Sequence, residues 1–313
     1  MKILAELRGL LTGAALAGFG LLVAIDGPSL LPGQDLLQSL RFLIAAGLIL
    51  LAIVMFIARA WMRGLAVLVI ACLSIGYGAW IIYDQQQARN AKTGEAVATA
   101  TVLSFNTLAY NSRGSDIVDY MIETAPDVAV IMESEAIHAQ LDRLATFFPA
   151  RAGCDATGQD CDLMMFSRTP LTDVQVIPLK PLNRLRLVTA KTEINGQSVT
   201  IVGVHLSKPY FDETAWVELF HIRDVLRQIE GPVILSGDFN AAAWSKTVSR
   251  FAKGASLIPP PFYPATWPVR FGALGVPIDN MFTRGDALIE SISAMPDSLG
   301  SNHRGLLAKI GLY

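Results

Sequence analysis

Charge is what this 313-residue chain has least of. Lys, Arg, Asp and Glu make up 17% of it, against 52% hydrophobic residues, where a soluble domain carries about 25% charged residues. That deficit excludes an ordinary fully water-exposed chain. A basic surplus is missing as well. Up to residue 85 there are five basic and four acidic residues, which leaves 20 basic and 23 acidic residues beyond it, a net charge of −3. Such a balance argues against a protein that grips DNA tightly and non-specifically through counterion release. Internal repeats and low-complexity segments are absent too. Cysteine is scarce, with three residues. Cys72 lies in an apolar run and reads as packing. Cys154 and Cys161 sit in a polar loop without a nearby His or further Cys, so a zinc site is the weakest reading. A short disulfide loop and two free thiols both remain open there.

The charges that exist are segregated. Residues 9–25, 42–58 and 64–83 contain none. At 1.5 Å rise per residue, about 20 helical residues cross a hydrocarbon core of about 30 Å. The third run meets that length. The two shorter runs are flanked by Arg8, Arg41 and Arg59, whose long stems can carry their charge to the interface. Three transmembrane helices are therefore expected within residues 1–85. A cleaved signal peptide is the alternative for the first run, since Lys2 and Arg8 precede it. The link between the first two runs carries Asp26 and Asp35, and the link between the second and third carries Arg59 and Arg63. The positive-inside rule then predicts a cytoplasmic N-terminus. Everything after Tyr83 is expected outside the cytoplasm, which in a bacterium anchored in its inner membrane is the periplasm. The polar stretch Asp84 to Glu95 reads as a linker, placed at residues 86–97.

From residue 98 the pattern changes to short β-rich runs with interspersed helices. Strands are expected at Val97 to Phe105, Asp127 to Met132 and Leu163 to Ser167. Leu185 to Ile194 and Ser198 to Val204 flank Asn195-Gly196, a strong two-residue hairpin signal. Further strands are expected at Val233 to Ser236, Ile278 to Thr283, Ala287 to Ser293 and Gly305 to Ile310. Helices are expected at Ile117 to Thr124, Ala136 to Phe147 and Thr214 to Ile229. Such a mixture predicts an α/β sandwich with helices covering two sheets over residues 98–313.

Several of these strands end in an acid, an amide or a histidine. Asn106 follows Phe105, Glu133 follows Met132, His205 follows Val204, and Asp238-Phe239-Asn240 follows Ser236-Gly237. Asp279 follows Ile278, and Asn302-His303 follows Ser301. Each alone is more often a turn residue or a satisfied polar group. Together they suggest a site built at strand ends of a rigid scaffold.

In that order the motifs Ser104-Phe105-Asn106, Ile131-Met132-Glu133, Gly203-Val204-His205, Gly237-Asp238-Phe239-Asn240, Ile278-Asp279-Asn280 and Gly300-Ser301-Asn302-His303 resemble the endonuclease/exonuclease/phosphatase superfamily. Ala265-Thr266-Trp267-Pro268 is similar to bacterial membrane-bound members. The resemblance covers about residues 98–313 and implies a four-layer α/β sandwich. It implies hydrolysis of phosphate esters with Mg²⁺ as cofactor, Mn²⁺ being able to stand in. Glu133 would be the metal ligand, with Asn106 beside it and Asn302 at a third position. Asp238 would orient or deprotonate the attacking water, and Asn240 would hold water or phosphate. His205 and His303 would contact phosphate oxygens, with Asp279 partnering His303. Asn302 departs from the family's usual Asp, which removes one negative charge. Glu135, in a strand continuing past Glu133, would share its face.

Lys208 and Arg186 are weaker candidates for a phosphate path. His138 and His221 read as surface or core groups, and Trp216, Trp244 and Trp267 as packing. The expected partners are a nucleic-acid or phospholipid head-group ester and the lipid bilayer; no protein partner is implied. A phospholipid head-group phosphatase or phospholipase and a catalytically silent binding domain are the alternatives.

Overall fold

The computed structural model describes all residues except 1, 28–32, 92–93, 155–161 and 210–213, and the side chains of residues 2–4. Three long helices come first. α1 spans Lys2–Asp26, α3 Arg41–Ile57 and α4 Trp61–Asn90, with a six-residue helix, α2, at Gln34–Ser39. The stretches Ala5–Asp26 and Trp61–Asn90 are long and apolar enough to cross a membrane; Arg41–Ile57, at 17 residues, is shorter. The three pack on one another through Leu22, Ile25, Ala45, Leu48, Met55, Val67 and Ala71. Leu10, Leu16, Leu50, Leu65, Val69, Leu73 and Trp80 stay exposed around the bundle.

One boundary differs from expectation. The segment read as a linker begins as helix, because α4 continues through Asn90. Gln85 Nε2 donates to Ala243 O (2.7 Å), Gln86 Nε2 to Pro260 O (2.8 Å) and Arg89 Nη1 to Ile289 O (2.5 Å). Polar residues that looked like solvated spacer are helix formers tied to the body of the protein.

That body is two packed sheets. The first contains β10 (Ala287–Ala294), β11 (Leu306–Leu312), β1 (Ala98–Asn106), β2 (Val128–Met132), β4 (Leu163–Ser167) and β3 (Ala150–Gly153), in that order. The second runs β5 (Thr172–Leu179), β6 (Arg184–Ile194), β7 (Gln197–His205), β8 (Val233–Asp238) and β9 (Asp279–Arg284). Side chains alternate faces along a strand, and here both faces are buried. Val102, Val130, Met165, Ile201 and Ile234 fill the space between the sheets. Their neighbours Leu103, Ile131 and Phe166 pack outward on α5 (Gly114–Thr124) and α6 (Leu141–Ala145). On the other side Val202, Val204 and Leu235 pack on α7 (Thr214–Arg227) and α8 (Lys246–Gly254). The result is a four-layer α/β/β/α sandwich.

Close packing of the sheets accounts for one glycine. A Cβ on Gly203 would lie 2.8 Å from Val130 Cγ1. The expected hairpin is present, with Asn195 and Gly196 both at positive φ between β6 and β7. The helix expected at Ala136 to Phe147 is instead a 3₁₀ stretch, Ser134–Gln140, followed by the one-turn α6.

Candidate functional site

Alternation and register together assemble the site. β1 and β2 run parallel, as do β7 and β8, so all four deliver their C-terminal ends to the same mouth of the sandwich. Counting from the inward Val102, Ile201 and Ile234, the strand-end residues Asn106, His205 and Asp238 fall on the inner face. β9 starts at this mouth, antiparallel to β8, with Asp238 opposite Asp279. His205 sits opposite Asp238 in the β7–β8 ladder. The polar ends are therefore fixed by the same pattern that fills the core behind them.

β2 ends abruptly. Glu133 has φ 50° and ψ 50°, the left-handed region that a non-glycine side chain adopts at a cost. This turn breaks the alternation, so Glu135 does not share Glu133's face in a continuing strand; it is exposed in the 3₁₀ stretch. Glu133 Oε2 accepts from Ala109 N (2.9 Å), and Oε1 from Asn106 Nδ2 (3.2 Å). The same Asn106 amide donates to Asp238 Oδ2 (3.0 Å). Asn106 thereby bridges two carboxylates. Gly237, before Asp238, has φ 153°, and a Cβ there would meet Val204 O at 1.8 Å.

Asp238 is the hub. Its Oδ1 accepts from Asn240 N (2.8 Å), while Asn240 Nδ2 donates to Leu206 O (2.8 Å). Its Oδ2 lies 3.8 Å from His205 Nε2 and 3.8 Å from His303 Nε2. Each ring is held from behind by a further carboxylate. His303 Nδ1 is 2.9 Å from Asp279 Oδ2, and His205 Nδ1 is 2.8 Å from Asp162 Oδ2. Ser301 Oγ donates to Asn106 O (2.7 Å) and accepts from His303 N (3.0 Å), which fixes the last loop to the end of β1.

The charges are perturbed accordingly. Burial pushes the Asp238 carboxyl up, and Asp279 adds to this against the pull of His303 and His205. Burial alone would lower His303, but Asp279 and Asp238 outweigh it and hold the ring up at about 9. Burial would raise Asp162, yet His205 and Arg186 hold it below its ordinary value.

Of the expected residues, the structure brings together Asn106, Glu133, His205, Asp238, Asn240, Asp279 and His303. Asn302 is exposed between two buried neighbours and lies outside the hydrogen-bond chain just described. Arg186 is the one weaker candidate drawn in, 2.8 Å from Asp162 Oδ2 through Nε. Lys208 is exposed, and exposed His138 shares a contact with Ser134 Oγ (3.2 Å). Trp244 is buried as packing against Phe42 and Tyr263. Trp216 is not: it is exposed and tilted on exposed Phe220, because its helix buries the opposite stripe, Ala215, Leu219 and Ile222. Cys161 lies outside the described residues, and with it the expectation of a disulfide to Cys154.

Two residues were missed. Asp162 resembles the end of a polar loop in sequence and meets its histidine 43 residues later. Glu218 falls on a helix that reads as amphipathic, yet it is fully buried. It accepts from Ser207 N and Ser207 Oγ, both at 2.7 Å, which secures the turn after His205. No local signal marks Glu218. A strand-end histidine needing an acid partner was the available hint for Asp162.

The donor set suits a hard divalent cation. Mg²⁺ takes a few carboxylate or amide oxygens and keeps waters, and both Glu133 oxygens hold one hydrogen bond each on a half-buried side chain. Asp238, Asp279 and His303 also place ligand atoms within 4.8 Å of one another. Asp279 Oδ1 is buried without a hydrogen-bond partner among the described residues.

Residues 103–303 match the Endonuclease/Exonuclease/phosphatase family. Among curated proteins, the chain is 30% identical over 137 residues to the UPF0294 protein YE0917 of Yersinia enterocolitica, covering 42% of this chain. It spans about half (50%) of that relative's length. Solved structures share the fold. The endonuclease/exonuclease/phosphatase from Beutenbergia cavernae superposes with TM-score 0.54 at 18% identity, covering 69% of this chain and 72% of that one. Staphylococcus aureus beta toxin, solved with bound magnesium ions, gives 0.55 at 14% identity, covering 67% and 98%. Sphingomyelinase C from Streptomyces griseocarneus gives 0.53 at 15%, covering 67% and 99%.

Proposed function

The chain belongs to the Endonuclease/Exonuclease/phosphatase family, and from that premise we propose that it is a Mg²⁺-dependent hydrolase of phosphodiester or phosphomonoester bonds, anchored in a membrane. The observation that carries this reading is the convergence of two histidine–aspartate pairs on one buried carboxylate, Asp238. An isolated buried acid is costly. One flanked by two rings and bridged by an amide to Glu133 is poised for proton transfer beside an anion.

The chemistry follows from the groups present. Water attacks phosphorus, and its proton needs an acceptor. Asp238, whose pKa burial raises, is placed to take it. The bond from phosphorus to the leaving oxygen breaks, and negative charge grows on the phosphoryl oxygens. His303, charged at neutral pH through Asp279, opposes that charge with its free Nε2. His205 presents Nε2 from the other side, with Asp162 fixing its tautomer. Asn240 holds Asp238 through its backbone and is placed to hold water or phosphate. Glu133 and Asn106 would hold Mg²⁺, which supplies Lewis-acid polarisation of a phosphate oxygen. Asn302 is a further candidate ligand, neutral and exposed.

On this reading α1, α3 and α4 span the membrane of a bacterial cell. The basic residues Arg59 and Arg63 at the α3–α4 turn support a cytoplasmic N-terminus, leaving the sandwich on the outer side. The apolar surface of the bundle supports the anchor. Tethering beside a bilayer favours phospholipid head groups as a second substrate class next to nucleic acid.

The test is hydrolysis by the full chain in detergent. DNA, RNA, an activated phosphodiester and phospholipids would be offered with Mg²⁺, Mn²⁺ or EDTA, beside Asp238→Asn. Metal-dependent turnover lost in the variant is the expected result and identifies the substrate class. A folded chain inert towards all four sinks the hydrolase in favour of a silent binding domain.

A further inference from the structure

A second cavity, of about 600 Å³, lies where α4 passes α8 and the start of α3. None of the residues of the site above lines it. Its walls are mixed in character. Tyr77, Trp80 and Trp244 give it aromatic surface, while Arg41, Lys246, Arg250 and Lys253 face Asp26 and Asp84 across it. Four cations against two carboxylates leave it positive.

Most of these charges are already engaged. Arg41 is almost fully buried, paired with Asp26 and placed over the Tyr77 ring. Lys253 Nζ meets Asp84 Oδ2 at 3.0 Å, and Lys246 Nζ donates to Gly27 O at 3.0 Å. Two donors are left over. Arg41 Nε is buried and has no hydrogen-bond partner among the described residues. The guanidinium of Arg250, exposed on α8, has neither an ion pair nor a hydrogen bond among the described residues. Arg41 sets a buried positive charge behind the cavity wall, and the Arg250 guanidinium is free to meet an anion directly, so an anion in this cavity would balance the charge left over.

The position selects the anion. Asp26 ends α1 and Arg41 begins α3, so the cavity stands at the rim where the apolar bundle meets the sandwich. Below it α1 and α4 expose Val23, Leu73 and Trp80. Aromatic residues and cations at such a rim are the features that hold lipid head groups. A phospholipid supplies a phosphate for the cations and acyl chains for the apolar surface beneath, which free phosphate does not.

We propose that this cavity binds the head group of an anionic phospholipid from the surrounding bilayer. The inference rests on the reading that α1, α3 and α4 span that bilayer. It also places a lipid against the segment that directly follows the catalytic residues. Gln38, which lines the cavity, accepts from Lys246 N (2.6 Å) and Trp244 Nε1 (3.1 Å), and Asn280 Nδ2 donates to Ala241 O (2.9 Å).

The experiment is native mass spectrometry of the full chain in neutral detergent. It is titrated with dihexanoyl phosphatidylglycerol, dihexanoyl phosphatidylcholine and inorganic phosphate. Phosphatidylglycerol is expected to saturate one site, well ahead of the other two. Arg250→Gln should weaken it about fivefold and Arg250→Gln/Lys253→Gln about thirtyfold, from the worth of each interfacial charge. Lys191→Gln, a distant exposed cation, should change nothing. Equal binding by wild type and double variant overturns the proposal. So does an equal loss in Lys191→Gln, or inorganic phosphate binding as tightly as the lipid. Carbonate extraction run alongside separates the two levels. A chain released from membranes sinks the spanning reading and this proposal with it; a retained chain with an insensitive double variant sinks this proposal alone.

Discussion

The two sides of the site are near copies in geometry and unlike in electrostatics. On one, His303 leans on Asp279; on the other, His205 leans on Asp162. Both Nδ1 contacts are short, and both Nε2 atoms stand 3.8 Å from the same Asp238 oxygen. The acids differ in what else they serve. Asp279 is almost fully buried and hydrogen-bonds one cation, His303. Asp162 is more open and divides itself between His205 and Arg186. An undivided buried carboxylate holds its imidazole charged up to about pH 9. The divided one has its own pKa lowered by His205 and Arg186 instead. Matched distances therefore accompany different surroundings at the two carboxylates, one serving a single partner and the other two.

The largest expected effect strikes both sides at once. Asp238→Asn removes the acceptor they share, and kcat should fall by about 10³-fold with the far-UV circular dichroism spectrum unchanged. A variant that keeps more than a tenth of the activity would show the convergence to be structural only. Next is Glu133→Gln, expected to weaken Mg²⁺ activation about tenfold to a hundredfold, read as the metal concentration at half-maximal rate.

The comparison itself is tested by removing the acids one at a time. Asp279→Asn should lower the His303 pKa by about two units, followed by NMR of the ring protons. Arg186→Gln should leave that titration in place, since Arg186 serves the other side. A His303 titration that shifts equally in both variants would break the distinction drawn above.

Stability should depend on pH in opposite senses on the two sides. His303 is raised above its unfolded value, so its contribution is full below about pH 6.5 and is lost as pH rises through about 9. Asp162 is lowered, so its contribution is full above its unfolded value near 4 and is lost as pH falls below it. Thermal unfolding of wild type, Asp279→Asn and Asp162→Asn across pH 3–10 reads both limbs. Each variant should flatten one limb and leave the other. Smallest of all is Asn302→Asp. Restoring a carboxylate at an exposed position should tighten Mg²⁺ by about threefold, a change of roughly 0.7 kcal/mol; an unchanged titration would place residue 302 outside the metal's reach.

Much of the sandwich was legible because each strand carries its own signal. Val128 to Met132 is apolar throughout, and Asn195-Gly196 marks a hairpin by its need for positive φ. The site was legible where chemistry stands at a strand end, as at His205 and Asp238. What escaped depends on distance in sequence. Asp162 gains its role from His205, and Glu218 from Ser207, and neither pairing leaves a periodic trace. The short helix α2 escaped for the same reason. Gln34 and Gln38 look like loop residues until their side chains reach Ala24 O and Ile25 O at 2.8 Å each. The end of α4 was misjudged because glutamines read as spacer, although they are good helix formers.

That last feature has a mechanical meaning. A flexible tether would let the sandwich swing and sample a hemisphere above the bilayer. α4 is one unbroken helix of 30 residues, about 45 Å long at 1.5 Å per residue, and its upper turns are bolted to the sandwich by Gln85, Gln86 and Arg89. Such a helix is a mast. On the membrane reading it fixes both the height of the mouth where Asp238 lies and its tilt. On the proposed function, substrates would then arrive at a set altitude, either diffusing in the plane of the leaflet or descending to it, since the sandwich cannot reach out to meet them.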